Sequence, residues 1–128
     1  MPHEYDPQNI FAKILRGEIP NNTVAETDHC LAFYDIGPQA PTHILVIPKG
    51  AYVTYDDFAQ NASDAEILDF VRVTGRLCKE LGLSLAEGGQ GYRVISNAGN
   101  HGGQEVPHYH LHLLGGAALG PLLAKRSG

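Results

Sequence analysis

Hydrophobic residues near the start of the chain recur at helical spacing. The residues of this stripe are Ile10, Phe11, Ile14 and Leu15. Asp6-Pro7 stands just upstream, where an aspartate caps a helix and a proline suits its first turn. Gly17 follows as a typical stop. The pattern therefore predicts a short helix that starts after Asp6 and ends at Gly17.

Three strands are predicted in the next part of the chain. Residues 23–26 and 30–34 flank a Thr27-Asp28-His29 turn and together predict a hairpin. Residues 42–48 are apolar toward both faces, which is typical of a central strand. A loop with two prolines, residues 35–41, separates them.

A long helix and two further strands complete the pattern. Ser63 and Glu66 form a capping box, and a hydrophobic stripe at helical spacing continues to Gly82. Residues 92–97 are predicted as a strand, and residues 98–107 as a loop that leads to the last strand. Strands joined by short connections favour antiparallel pairing. The fold class predicted is α+β, with a mostly antiparallel sheet and two main helices.

Three histidines mark the last strand. His108, His110 and His112 alternate with Tyr109 and hydrophobic residues at a period of two, which is the period of a β-strand. In a strand their imidazoles lie on one face, about 6.6 Å apart. The backbone amides of the adjacent Gly102-Gly103 loop are expected to face a ligand. Imidazoles beside free amides indicate a site that handles phosphate.

Composition and charge narrow the partners. The 128 residues carry a net charge of −5 without a basic block, which argues against a nucleic-acid or membrane partner. No leader and no apolar run of transmembrane length is evident. With only Cys30 and Cys78, on different predicted elements, a cytoplasmic protein is expected. Its length predicts one domain, residues 1–128, with a core of about residues 6–116 and a tail of residues 117–128.

The three histidines have three possible interpretations: structural residues, a metal site or a nucleophile with helpers. Three buried structural histidines would each need a polar partner. A metal site is the second interpretation, and its zinc ligands would be Cys30, His43, His108 and His110. The third is a histidine nucleophile, which needs neither a metal nor another cofactor, and this interpretation is preferred.

The preferred chemistry is attack on phosphorus by an imidazole nitrogen. His110 has a histidine on each side and is the expected nucleophile. His112 and the amides of Gly103 and Gln104 are expected to hold the phosphoryl oxygens. The expected roles of the remaining groups are orientation of the central ring by His108 and His43, and assistance to the leaving group by Glu105.

The sequence resembles the histidine triad family, and within it the nucleotide-binding, phosphoramidase-type branch. The resemblance rests on His108-Tyr109-His110-Leu111-His112-Leu113-Leu114 and runs from about Asp6 to Gly116. The supporting stretches are residues 9–14, Glu18-Ile19-Pro20, residues 30–36, residues 38–43 and Gly102-Gly103-Gln104. The resemblance implies the family fold and a homodimer whose sheet continues across the interface. It also implies hydrolysis of purine nucleoside phosphoramidates through a nucleotidyl intermediate on His110.

Further site residues are implied by the resemblance alone. They are the phosphate contacts Asn97, His112 and Gly103-Gln104-Glu105, the ribose-binding Asp35, and the base-contacting Ile10, Phe11, Ile14, Ile19, Phe33, Tyr34, Ile36 and Leu45. The implied ligand is of the purine nucleoside monophosphate type. From spacing alone, Asp35 fits a turn cap equally well.

Two departures from the family pattern leave the preferred leaving group open. Glu105 stands where many eukaryotic relatives have serine, and the tail lacks the tryptophan that ends some relatives, as in bacterial members. Two functions other than phosphoramidate hydrolysis also stay open. They are a nucleotide-binding module with little turnover and a dinucleoside polyphosphate hydrolase of the same family. The supporting stretches match the phosphoramidase-type branch better than the latter.

Overall fold

A computed structural model describes residues 4–124 of the chain. Over these residues five strands form one sheet in the order β1-β2-β3-β5-β4, and every neighbouring pair is antiparallel. The strands are β1 (Thr23–Glu26), β2 (Cys30–Tyr34), β3 (Thr42–Pro48), β4 (Tyr92–Ile95) and β5 (Leu111–Gly115). The predicted α+β class and the central position of β3 are confirmed. Continuation of the sheet across a homodimer stays a prediction.

The helices of the described residues are α1 (Ile10–Leu15), α2 (Tyr55–Asn61), α3 (Asp64–Glu80) and the single turn α4 (Gly99–Gly102), with a 3-10 turn at Leu85–Glu87. The predicted capping box of α3 is present, with Ser63 and Glu66 each bonded to the other's backbone. Between residues 4 and 124 no helix is long and apolar enough to cross a bilayer.

Three helices differ from the prediction, and one of them is α4, which forms within residues 98–107, where a loop was expected. The expected start of α1 after Asp6 is wrong: Asn9 caps the helix by accepting from the N–H of Ala12, while Asp6 closes a turn by accepting from the N–H of Gln8. Helix α2 was not predicted, because it buries only Asp57 and Phe58 and has no hydrophobic stripe.

Alternation along the strands divides the core between the two faces of the sheet. The α3 face buries Cys30, Ala32, Ile44, Val46 and Leu113 against Phe70, Val73 and Leu77 of α3. The α1 face buries Leu31, Phe33, Leu45 and Ile47 against Phe11 and Ile14 of α1. His43 lies two residues from Leu45 on β3, and Leu45 pairs with His112 of β5. These positions place both histidines on the α1 face, beside the smaller cluster.

Candidate active site

The triad only partly lies in a strand. Strand β5 begins at Leu111, so the prediction of a strand from His108 onward is wrong for its first three residues. The backbone there bonds elsewhere: the N–H of His108 donates to the carbonyl of Val106, and that of Tyr109 donates to Tyr52. This segment therefore leaves the ladder, and the three imidazoles are not equivalent.

His110 is held with one ring nitrogen free. Its Nδ1 lies 2.7 Å from the carbonyl oxygen of His108, which can only accept, so Nδ1 carries the proton and Nε2 keeps a lone pair. The side chain is buried, with the ring of Phe11 5.0 Å away edge to face. Burial lowers the pKa of His110, and the charges of Asp35 and Glu105 oppose that shift in part. The neutral ring therefore presents the unprotonated nitrogen that a nucleophile needs.

His112 is oriented by His43. The Nε2 atom of His43 lies 2.9 Å from Nδ1 of His112, and the N–H of Gln39 donates to Nδ1 of His43 at 3.1 Å. A backbone N–H can only donate, so Nδ1 of His43 must accept. The proton of the His43 ring is therefore on Nε2 and points at His112. His112 then carries its own proton on Nε2, as a donor suited to a phosphoryl oxygen. Burial and the neighbouring histidines lower the pKa of His112 to about 4.

His108 contributes its backbone instead of its ring. Its Nε2 donates to the carbonyl of Pro48 at 2.8 Å, so its Nδ1 accepts from the hydroxyl of Tyr5 at 2.6 Å. Burial lowers its pKa to about 4. The prediction that the rings of His108 and His43 orient His110 is wrong in detail, since the His108 carbonyl contacts His110 and the His43 ring contacts His112.

The glycine loop is more closed than predicted. The N–H groups of Gly103 and Gln104 donate to carbonyls of α4, at 3.2 Å and 3.0 Å. The expectation that both amides are free for a ligand is therefore wrong. The side chain of Gln104 ties the loop down: its Oε1 accepts from the N–H of Gly99, and its Nε2 donates to the carbonyls of Val53 and Val106.

Two residues that were predicted to contact the substrate, Glu105 and Asn97, lie at this end of the sheet. Glu105 is exposed, and its charge acts on the pKa of His110. Asn97 is half-buried just after β4 and lies beneath the turn at Gly102, where an added Cβ would stand 3.6 Å from its carbonyl carbon. Contact of either residue with a substrate stays a prediction.

The predicted apolar wall is divided. Phe11, Ile14, Phe33 and Leu45 belong to the cluster on the α1 face, and Ile19 packs against it. The other three are exposed, with exposed fractions of 43% for Ile10, 42% for Tyr34 and 99% for Ile36. Contact of all eight with a base stays a prediction.

Asp35 makes the turn cap that its spacing allowed. Its Oδ1 accepts from the N–H of Gly37 at 2.7 Å, and its Oδ2 lies 3.5 Å from Nε2 of His43. Binding of a ribose by the same carboxylate stays a prediction. Within residues 4–124, Asp35, His43 and His112 are the one group with three converging metal-ligand atoms.

The zinc ligand set considered from the sequence is not assembled. Cys30 faces α3 on the opposite side of the sheet, and both ring nitrogens of His108 are engaged. Burial raises the pKa of the Cys30 thiol to about 12, which disfavours the thiolate that binds zinc.

Three contributors to the site were missed from the sequence. They are the hydroxyl of Tyr5, the N–H of Gln39 and the carbonyl of Pro48. Two of these are backbone groups, which every residue carries, so no residue pattern marks them. Tyr5 precedes the first helix and belongs to no periodic segment.

Comparison with known proteins identifies the class. A family model described as the HIT domain matches residues 16–119. A HIT family hydrolase structure from Legionella pneumophila Philadelphia 1 superposes with a TM-score of 0.75 at 46% identity, covering 87% of this chain and 95% of that one. The chain therefore belongs to the HIT family, as the resemblance of its triad sequence predicted.

Two curated relatives are similar over almost their whole length. A purine nucleoside phosphoramidase of Escherichia coli K12 is 45% identical over 93% of this chain and 96% of its own. An uncharacterised 13.2 kDa HIT-like protein of Azospirillum brasilense is 55% identical over 98% of this chain and 99% of its own. The activity in the first name belongs to that relative.

Proposed function

We propose that this protein hydrolyses purine nucleoside phosphoramidates through a nucleotidyl intermediate on His110. The observation that carries the proposal is the 2.7 Å bond from Nδ1 of His110 to the carbonyl of His108, which leaves Nε2 as a buried, neutral nucleophile. The similarity to a purine nucleoside phosphoramidase supports the choice of substrate.

In the first step, Nε2 of His110 attacks phosphorus, a new P–N bond forms, and the P–N bond to the leaving amine breaks. Nε2–H of His112 donates to a phosphoryl oxygen as negative charge develops there. The leaving amine takes up a proton from solvent, by a path that we assign to the exposed Glu105. In the second step, water attacks the phosphorus and loses a proton to solvent by the same path, the bond from phosphorus to Nε2 of His110 breaks, and the nucleoside monophosphate leaves.

Two features of the α1 face suit such a substrate: the apolar cluster suits the base, and Asp35 suits the ribose. Phe11, Phe33 and their neighbours form an apolar wall beside His110 on which a base can stack. Asp35 lies beside His43 and His112, with its Oδ2 atom 3.5 Å from Nε2 of His43, and its carboxylate can accept from ribose hydroxyls. None of these steps requires a metal ion or another cofactor.

Hydrolysis of adenosine 5′-phosphoramidate in the presence of a chelator tests the proposal. Wild-type protein is expected to turn over, and His110→Ala is expected to lose at least about a thousandfold in kcat, or about 4 kcal/mol. His29→Ala, at the β1–β2 turn, is the matched control and should retain activity. Equal rates for wild type and His110→Ala would overturn the proposal. Binding of AMP without turnover in the wild type would instead favour a nucleotide-binding module.

We also propose that the chain forms a homodimer through the β4 edge of its sheet. Strand β4 lies at that edge and exposes Tyr92 and Val94. Val71 of α3 is also exposed, beside an apolar groove that reaches Leu111. Sedimentation should give twice the monomer mass for wild type and a shift toward monomer for Val94→Lys; a monomeric wild type would contradict the proposal.

A further inference from the structure

Three side chains at one end of the α1 face bring metal-binding atoms together. Nε2 of His43 lies 2.9 Å from Nδ1 of His112 and 3.5 Å from Oδ2 of Asp35, and the three atoms lie within 4.8 Å of one another. Two imidazole nitrogens and a carboxylate oxygen form a donor set that Zn²⁺ commonly takes. The proposed reaction uses the same cluster for a different purpose, namely to orient the proton of His112.

One backbone group decides whether this cluster can hold a metal ion or holds a proton instead. The N–H of Gln39 donates to Nδ1 of His43 at 3.1 Å. Nδ1 must therefore carry a lone pair, and the proton of the neutral ring is on Nε2, inside the cluster. A neutral imidazole that binds a metal through Nε2 carries its proton on Nδ1, usually donated to a carbonyl or carboxylate. Here that proton would face the N–H of Gln39.

The loop that carries this amide is fixed at several points. Asp35 donates its N–H to the carbonyl of His43 at 3.0 Å, and its side chain accepts from the N–H of Gly37. Pro38 and Pro41 restrict the backbone on either side of Gln39. Moving the amide away from His43 would therefore disturb a loop that is anchored to the same cluster.

We propose that the backbone amide of Gln39 is a positioning group: it fixes the His43 tautomer that orients the Nε2 proton of His112, and it thereby excludes zinc from Asp35, His43 and His112. The first half of this inference, the orientation of His112 for catalysis, rests on the proposed function. The zinc half does not, since it concerns only which nitrogen of His43 carries the proton. A carbonyl in the place of this N–H would favour the opposite tautomer and a metal site.

The direct test is the tautomer of His43 in wild-type protein, measured by two-bond ¹⁵N–¹H correlation spectra of the imidazole rings. The expected result is an unprotonated Nδ1 and a protonated Nε2 on His43. A protonated Nδ1 on a neutral His43 would overturn the proposal without the need for any variant.

The second test is zinc binding, which is measured by titration calorimetry of the metal-free protein with ZnCl₂. Gln39→Pro removes the N–H, and the matched control Gln39→Ala keeps it. Gln39→Pro is expected to bind zinc at least tenfold more tightly than either wild type or Gln39→Ala, and adding Asp35→Asn should remove that gain. Equal zinc affinity with and without the N–H would overturn the exclusion of zinc.

Two controls keep these outcomes decisive. If Gln39→Pro does not fold, an amide-to-ester replacement at residue 39 deletes the same N–H without a proline ring. Neither readout uses catalysis, so failure of phosphoramidate hydrolysis leaves both measurements interpretable. Conversely, an active enzyme with the wrong His43 tautomer would overturn this inference and leave the proposed function intact.

Discussion

The side chains that pack on the α3 face of the sheet are mainly apolar, whereas the α1 face changes from apolar to polar along its length. Strand β3 shows the change directly, because Ile47, Leu45 and His43 follow one another on the α1 face and all three are buried. On the α3 face the same strand presents Ile44 and Val46, which are fully buried against α3. One strand therefore supports a packed core on one side and a reactive cluster on the other.

Burial has opposite chemical consequences on the two faces. On the α3 face it raises the pKa of the Cys30 thiol to about 12 and so keeps the thiol protonated and unreactive. On the α1 face it lowers the pKa of His110 and so keeps the ring unprotonated and nucleophilic. In both cases burial disfavours the charged form. For the imidazole, the neutral form is the reactive one.

A cavity in the α3 face should show the largest effect on stability. Leu77 is completely buried between α3 and the sheet. Leu77→Ala is expected to lower the free energy of unfolding by about 3 to 5 kcal/mol, because it removes buried methyl groups and leaves a cavity. Chemical denaturation measures this loss, and the kcat of the remaining folded protein should be unchanged. A comparable fall in kcat would contradict the separation of the two faces.

Acid should destabilise the protein through the α1 face. His108 and His112 both have a folded pKa of about 4, lower than in the unfolded chain, so the unfolded chain binds protons first as the pH falls. The contribution of these two histidines to stability is therefore complete above pH about 6.5, is lost between about 6.5 and 4, and does not change further below that. The contribution of the fully buried His108 is about 3 kcal/mol.

His108→Gln isolates that contribution. Glutamine can donate to the carbonyl of Pro48 and accept from Tyr5, as His108 does, but it does not titrate in this range. Denaturation at several pH values should show a shallower loss of stability on acidification for the variant than for wild type. Parallel curves for the two proteins would show that His108 is not held neutral.

Tyr5→Phe should have the smallest of these effects. The variant removes the hydroxyl that donates to Nδ1 of His108 and leaves that buried nitrogen without its partner. The expected cost is about 1 to 2 kcal/mol in the free energy of unfolding. Tyr34→Phe is the matched control, since Tyr34 is exposed at the end of β2. Equal losses for the two variants would argue against a specific role of Tyr5.

The parts of the fold with a strong period were predictable from the sequence. The stripe of α3 and its capping box, the hairpin of β1 and β2, and the apolar β3 all form as predicted. Helix α2 was missed because only one of its large hydrophobic residues, Phe58, is buried. The triad was assigned to a strand from its period, but backbone bonds to Tyr52 and Val106 draw its first half away from the ladder.

The site was predictable in its residues and less so in its contacts. The placement of His110 beside His112 and Phe11 agrees with a shared site, whereas the group that contacts His110 is the carbonyl of His108 and not its ring. The direction of the backbone decides which atom of a residue makes a given contact. A pattern of side chains does not encode that direction. The same reason explains why the amides of Gly103 and Gln104 were expected to be free.

The central claim is that the neutral His110 ring attacks phosphorus through its Nε2 atom. The most direct measurement is rapid acid- or base-quenched reaction of the protein with adenosine 5′-phosphoramidate, followed by mass spectrometry of the proteolytic peptides. The expected result is a transient adenylyl group on His110 that forms and decays fast enough to explain turnover. Turnover with no adduct, or an adduct on His108 or His112 that persists in His110→Ala, would contradict it.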